Sequence, residues 1–365
     1  MRASRMLGFA RKEVLEIARD PITIGISLFM PLVMLFLFGY ALSFDVEDAP
    51  LMIVDHDKSV ASRALADQFL NTSYFRFAGA PEDERAAEHA LMRGETRAVL
   101  SIPPGFARRL ERGEAAPVEF LVDGTYASTA AIVSAYGRAI IYAFPRGTLR
   151  LPVQPELRVW YNPQLRSRNF IVPGLFAVIL MAFPPLLTAL AVAREKELGT
   201  IAQIYASPLT RIEFVLGKLL PYAAIASAQL AIVLAAGFLW FRIPMSGSLT
   251  LLTALGLIYV VCTVSIGLLV STLVRTQVAA MLVTLVVTLM PSFLFSGFIY
   301  PVFTMPEMFQ VYAASIPTIY FIDISRGIVM RGAGLAELWT QAAVLVAYTL
   351  AVLAVATMLI RKRIA

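Results

Sequence analysis

The residues with the greatest chemical capacity fall in two places. One is Asp55-His56-Asp57, three possible metal or proton-transfer groups in a row. The other is the stretch AREKELGTIAQIYASPLTRIEFVLGKLLPY, Ala193 to Tyr222, which sets seven charged residues between two long apolar runs. A metal centre needs three or four converging ligands and an outer shell that orients them. The only other histidine is His89, and the single cysteine, Cys262, lies in an apolar run. Acidic residues at the end of an apolar run also suit capping of a helix that begins near Ser59, and this is the favoured reading. No Ser-His-Asp or paired-carboxylate set stands out, and Gly217-Lys218 is followed by Leu219 rather than completing a phosphate loop. No catalytic residue, no metal site and no cofactor held by this chain are expected.

The elements that position these residues are mostly membrane-spanning. The chain is 58% hydrophobic and 15% charged, against about 25% charged for ordinary soluble domains. The charge is concentrated in residues 45–168, and apolar runs long enough to span a bilayer occupy 22–44, 170–193, 219–241, 249–274, 277–299 and 338–360. The first run is too long for the h-region of a signal peptide, roughly 7–15 residues, and reads as an uncleaved anchor. Residues 300–337, broken by Pro301, Pro306 and Pro317, read as a re-entrant or surface-lying hairpin. The fold class expected is an α-helical polytopic membrane protein with six transmembrane helices and an inserted extracytoplasmic α/β domain.

Lys and Arg before the first run, in 194–218, at Arg275 and at the C-terminal end mark one side as cytosolic. Both termini then lie in the cytosol and 45–168 outside it. The net charge of +6 has this topological origin and does not call for nucleic acid. At helical spacing in residues 3–19, Met6, Leu7, Ala10, Val14, Ile17 and Ala18 share one face and Arg5, Lys12, Glu16 and Arg19 the other. Two readings are open: a helix lying on the membrane surface, or a topology signal and nothing more. The expected organisation is therefore 1–21 interface helix, 22–44 first span, 45–168 external domain and 169–365 the remaining spans. In the external domain strands are predicted at 50–55, 74–78, 97–102, 118–122 and 157–161, with helices between them, which argues for a partly parallel sheet.

None of the six apolar runs contains Asp, Glu, Lys, Arg or His. Ion-coupled carriers place such groups within the bilayer, so ion coupling is disfavoured. With no phosphate loop either, energy must enter from a partner, and 193–222 is the largest charged surface on the expected cytosolic side. Gly199 breaks its run, Thr200 suits the cap of a short helix to Ala206, Pro208 ends that helix, and Thr210 with Glu213 has capping-box spacing. Such a segment can transmit a push; an ordinary positive-inside loop fits equally.

This segment resembles the signature of type 2 ATP-binding-cassette (ABC) export permeases, of the form REKE-x-GT…TP…E…GK…PY. SGFIYPVFTMP (Ser296–Pro306) and IPTIYFIDISRGIVMRGAG (Ile316–Gly334) are similar to a second family signature, and LMIVDHDKSVASRAL resembles the external domain of the multidrug-efflux branch. The resemblance covers essentially the whole chain. It implies a bacterial inner-membrane permease, paired with a second permease chain as a homo- or heterodimer. Each chain is bound by a cytosolic ABC ATPase that holds ATP and Mg, with none fused to RKRIA at the end of this chain. Residues 194–213 would be the coupling helix, with Arg194, Glu195, Lys196, Glu197, Gly199, Thr200 and Pro208 its coupling residues. Ala202 departs from the acidic residue many members carry there, which puts an ion pair with the ATPase at that position in doubt.

Phe293, Phe295, Phe298 and Tyr300 suit either an apolar translocation path or an interfacial aromatic belt. Asp323 and Arg326, three apart, suit either a mutual pair or an exit that selects for charge. The expected function is export of amphipathic or apolar, drug-like compounds from the cytoplasm or inner leaflet, with a periplasmic adaptor on the external domain as a further partner. The alternatives are a membrane receptor with a ligand-binding ectodomain, or an ion-coupled secondary transporter.

Overall fold

The computed structural model describes residues 3–42, 48–125, 127–144, 161–162, 166–201, 207 and 209–359. They form two compact units, residues 1–43 with 159–365, and residues 44–158.

The chain begins with α1 (Ala3–Ala18). Asp20 caps the next helix, α2 (Pro21–Ala41), by accepting from the Thr23 N–H at 3.1 Å and the Thr23 hydroxyl at 2.8 Å. Pro21 starts α2, at a position where its missing N–H has no helical partner to lose. One side of α1 packs inward and the other does not. Phe9, Ala10 and Glu13 are buried, while Leu7 and Val14 are 58% and 51% exposed. For a helix at a lipid boundary the outward surface is the apolar one, and charge can face inward where it finds partners.

The second unit alternates strand and helix: β1 (Ala49–Asp55), α3 (Val60–Leu70), β2 (Phe75–Gly79), α4 (Glu84–Met92), β3 (Ala98–Ile102), α5 (Phe106–Glu111), β4 (Glu119–Val122) and α6 (Ala127–Ala143). The sheet order is β2-β1-β3-β4, with β1 parallel to β2 and β3, and β4 antiparallel to β3. All of β3 is buried, as a strand covered on both faces must be. Leu51, Phe69, Phe75 and Leu100 form one core, and Val54, Ala87 and Val99 the other. The strand predicted at 157–161 lies outside the described residues except for Tyr161.

The acidic residues after β1 serve as caps, but not all for the helix anticipated. Ser59 itself caps α3, with its hydroxyl accepting from Ser62 N–H at 3.0 Å. Asp55 supports that turn by accepting from Asp57 N–H, Lys58 N–H and the Ser62 hydroxyl at 3.0, 2.9 and 2.7 Å. Asp57 instead caps α5, accepting from Gly105 and Ala107 N–H at 2.7 and 3.0 Å. The Ser59 hydroxyl and these amides hold its carboxyl below the usual carboxylate range. His56 Nε2 meets Glu84 Oε1 at 2.8 Å.

The first unit resumes with α7 (Ser167–Glu197), α8 (Arg211–Trp240), α9 (Leu249–Leu273) and α10 (Gln277–Leu294). A 3₁₀ turn (Val302–Thr304), α11 (Glu307–Ala314) and α12 (Pro317–Arg331) lead to α13 (Leu335–Leu359). Helices α2, α7, α8, α9, α10 and α13 are long and apolar enough to cross a membrane, and this is a multi-pass membrane protein. α8 begins at Arg211, after the Thr210 cap and ahead of the apolar run that starts at 219, so Lys218 stands inside this helix. α7 is the most buried and occupies the centre of the unit.

Prolines in these helices leave carbonyls without donors, and lipid cannot supply one. Pro31 has no N–H for the Ser27 carbonyl, and Gln229 of α8 donates to it at 2.8 Å. α7 and α9 touch where Gly267 lies against Pro185: a Cβ on Gly267 would stand 2.8 Å from Pro185 Cα and 2.9 Å from Thr188 Cβ. Small residues at such crossings let backbones approach.

Two outcomes follow for the two units. Gly267→Val forces α7 from α9, costs about 1–3 kcal/mol, and should lower the midpoint of thermal unfolding of the purified chain. In the second unit the Thr125 hydroxyl and amide, then Arg97, depress the Asp123 carboxyl to about 2. A depressed carboxyl stabilises the fold above its unfolded pKa of roughly 4 and loses that effect as pH falls through its folded value. Hydrogen-exchange protection of β4 should therefore fall between about pH 4 and 2, and Asp123→Asn should remove that fall.

Candidate functional site

α7 ends in Arg194-Glu195-Lys196-Glu197, and each residue reaches a different element. Successive helical residues are turned by about 100°, so four in a row point in four directions. Arg194 Nη1 lies 3.1 Å from Asp20 Oδ2, at the cap of α2. Glu195 lies 2.9 Å from Lys12 Nζ of α1 through one oxygen and 2.7 Å from Lys218 Nζ of α8 through the other. Lys196 Nζ donates to the carbonyls of Ser271 and, at 3.0 Å, Val274, at the end of α9. Glu197 Oε2 accepts from the backbone and side-chain nitrogens of Gln277 at 3.1 and 3.0 Å, at the start of α10. A cation thus sits at a helix C-terminus and an anion at a helix N-terminus, each favoured by the helix dipole.

The centre of this hub is buried. Lys218 and Glu13 side chains are both 1% exposed and lie 2.8 Å apart. Lys12 adds contacts to Glu13 and Glu16 at 3.1 and 2.7 Å. Lys218, counted from sequence among the cytosolic-side charges, is buried between two carboxylates. Lys12 and Glu16, placed on the solvent face of α1, join the same network. Removing an ammonium from water costs several kcal/mol unless partners replace the lost hydration; here two carboxylates do so.

Past Glu197 the helix ends at Leu198, and Gly199 takes φ +74°, the left-handed conformation that glycine adopts without Cβ strain. The Thr200 hydroxyl donates back to the Glu195 carbonyl at 3.3 Å. The short helix expected to Ala206 and the Pro208 stop lie outside the described residues, apart from Thr200 and Ile201. Thr210 and Glu213 form the expected capping box at the start of α8, at 2.9 and 3.3 Å.

Of the residues expected on a translocation path, Phe293, Phe298 and Arg326 come together, while Phe295, Tyr300 and Asp323 lie apart from them. Phe298 is buried and packs on Phe293, ring centroids 5.3 Å apart, and Phe293 packs on Phe38 at 5.1 Å. Phe295 stacks on Phe309 at 5.3 Å, and Tyr300 is 64% exposed. Asp323 is exposed. Arg326 donates to the carbonyls of Phe170, Gly297 and Phe298 at 3.2, 2.9 and 3.0 Å and lies 3.5 Å over the Phe170 ring. It stitches the turn after α10 to the start of α7. Deeper in the unit, Tyr259 donates to the Ala177 carbonyl at 2.9 Å and meets Thr318 at 3.1 Å, and Thr318 meets Ser292 at 2.8 Å. This buried polar chain joins α7, α9, α12 and α10.

Residues 21–358 match the model of a family described as ABC-2 family transporter protein. This chain belongs to the ABC-2 transporter family. It is 31% identical over 342 residues to the probable multidrug ABC transporter permease YbhR of Escherichia coli (strain K12), covering 92% of this chain and 93% of that protein. It is 29% identical to the probable multidrug ABC transporter permease YbhS of the same strain, over 90% of this chain and 89% of YbhS. It is 27% identical to the inner membrane transport permease YhhJ, over 87% of this chain and 86% of YhhJ.

Sequence reasoning about the ABC-2 signature missed its internal partners: Lys12, Glu13, Glu16, Asp20 and Gln277. For Lys12, Glu13 and Glu16 the one signal was charge in an amphipathic helix that can lie against lipid, where an unpaired charge is costly; Asp20 and Gln277 carried none. Lys218→Met leaves Glu13 and Glu195 short of a cation, a change that costs about 3–5 kcal/mol. It should release α1, and trypsin should cut the purified chain at Arg11 and Lys12 at least about tenfold faster. Adding Glu13→Gln should restore slow cleavage; a rate unchanged in Lys218→Met would remove the hub's role in holding α1.

Proposed function

We propose that this chain is the permease subunit of an ABC exporter. Two copies, driven by separate cytosolic ATPase subunits that bind ATP and Mg, move amphipathic or apolar, drug-like compounds out of the cytoplasm or the inner leaflet. In this reading the protein lies in the bacterial inner membrane with both termini cytosolic. Residues 45–168 form the periplasmic domain, open to an adaptor, and 300–337 a re-entrant hairpin. The names of YbhR and YbhS, multidrug permeases similar along almost their whole length, support the cargo class.

The observation that carries the reading is the hub at the end of α7. A push delivered to residues 194–213 enters a helix terminus tied by side chains to α1, α2, α8, α9 and α10. A segment that only marked topology would need its charges in water. Here they join five helices, so a displacement of this segment moves the ends of the spans together.

Two substitutions test this in cells that carry the partner ATPase. Glu197→Lys places a cation at the α10 N-terminus, and Gly199→Val strains a left-handed position by about 1–2 kcal/mol. Both should raise accumulation of a fluorescent amphipathic dye to the level of a deletion strain, with the chain still present in membranes by immunoblot. Normal export by both variants would count against the coupling role.

A further inference from the structure

A groove of about 600 Å³ runs between the first turns of α8 and the last turns of α13. Val215, Leu216, Leu353 and Met358 make its apolar wall. Both helices are among the six long and apolar enough to cross a membrane, so whatever fills the groove shares the lipid phase with them. The groove is open to its surroundings, where Ile212 and Met358 are 52% and 71% exposed.

Three residues of the lining are polar, and two of them are satisfied within their own helices. The Thr357 hydroxyl donates to the Leu353 carbonyl at 2.7 Å, and the Thr210 hydroxyl accepts from the Glu213 N–H at 3.3 Å. The third is Arg211, exposed at the first residue of α8, and its guanidinium has no partner among the described residues. No Asp or Glu lines the groove. Glu213, two residues on, is buried, and its carboxylate accepts from the Thr210 N–H at 2.9 Å. Past Met358 the sequence continues Leu359-Ile360-Arg361-Lys362-Arg363, which adds three cations within five residues of the wall. A guanidinium presents a fork of donors that matches phosphate oxygens, and such charge-assisted pairs are among the stronger hydrogen bonds.

We propose that this groove binds an anionic phospholipid, with its phosphate on Arg211 and one acyl chain along the wall of α8 and α13. A zwitterionic lipid brings the same phosphate together with an ammonium group that meets no carboxylate in the lining. A soluble anion would pair with Arg211 and leave the apolar wall unused. Thr210 and Arg211 belong to the segment 194–213, so the bound lipid lies against its last residues. The binding site does not rest on the transport reading; only the leaflet that supplies the lipid rests on the proposed topology.

The test is native mass spectrometry of the full-length chain, delipidated in a neutral detergent. It is titrated with dioleoyl-phosphatidylglycerol or dioleoyl-phosphatidylcholine, which share their acyl chains. The tightest phosphatidylglycerol should bind about tenfold more tightly than phosphatidylcholine. Arg211→Gln should bring its Kd to that of phosphatidylcholine. Ala354→Trp, which fills the groove, should remove this lipid while weaker adducts persist. Glycerol 3-phosphate, a headgroup phosphate without acyl chains, should not displace it. Both variants should keep the wild-type elution volume and the wild-type resistance of α1 to trypsin; should Ala354→Trp alter either, Ile212→Trp takes its place. Equal affinity for the two lipids, or a tightest phosphatidylglycerol unaltered by both substitutions, would overturn the site. Displacement by glycerol 3-phosphate would do so too, by leaving an anion site with no use for the wall. So would binding by a monomeric fraction that a dimeric fraction lacks, which would give the groove to a second copy of the chain. Binding is read without transport, so its failure and the failure of the export reading are separate results.

Discussion

A lysine with almost no solvent exposure, held between carboxylates from two other helices, is the constraint on which the charged end of this protein depends. Lys218 belongs to α8, Glu13 to α1 and Glu195 to α7. None of the three is stable there without the others, because a lone ion away from water carries a solvation penalty of several kcal/mol. The three helices are therefore held in one arrangement by mutual need as well as by apolar packing, which alone discriminates poorly between neighbours in a lipid environment. The remaining charges of the quartet extend the same logic to α2, α9 and α10 by acting on helix ends, where backbone groups lack intrahelical partners.

The same requirement, that no polar group be left to lipid, shapes the middle of the unit. Gln229 serves the carbonyl that Pro31 leaves free, and Ser325 donates to the Pro173 carbonyl at 2.8 Å. The chain from Ala177 through Tyr259 and Thr318 to Ser292 ties the helix after the broken stretch to three spans. Arg326 does so at the other end of α12 through three carbonyls. Polar contacts thus hold α12 against the spans at both ends, with Tyr259 stacked on Phe321 between them at 4.4 Å.

Much of the architecture was legible because its causes are local. Twenty-residue apolar runs, the Thr210 and Glu213 spacing, Gly199 after a helix and the alternation of apolar strands with amphipathic helices in residues 49–143 depend on near neighbours. What stayed illegible was not local. Periodicity set Leu7 and Val14 apart from Lys12 and Glu16 on two faces of α1, but a period does not say which distant groups those charges meet. Hydropathy began the third apolar run at 219, just past Lys218, because a lysine counts against an apolar window whatever partners it finds.

The sequence by itself determined that the chain holds six runs long and apolar enough to cross a membrane, that a strand-and-helix unit interrupts them, and that a dense charged segment follows the second run. Only the tertiary structure decided where those charges go. Lys12 and Glu195 are 183 residues apart in the chain, and Lys218 and Glu13 are 205 apart. Nothing in local spacing selects one distant partner among many of the same sign. That choice is made by the packing of α1, α7 and α8, which brings these side chains within about 3 Å of one another and excludes the water that would otherwise have solvated each alone.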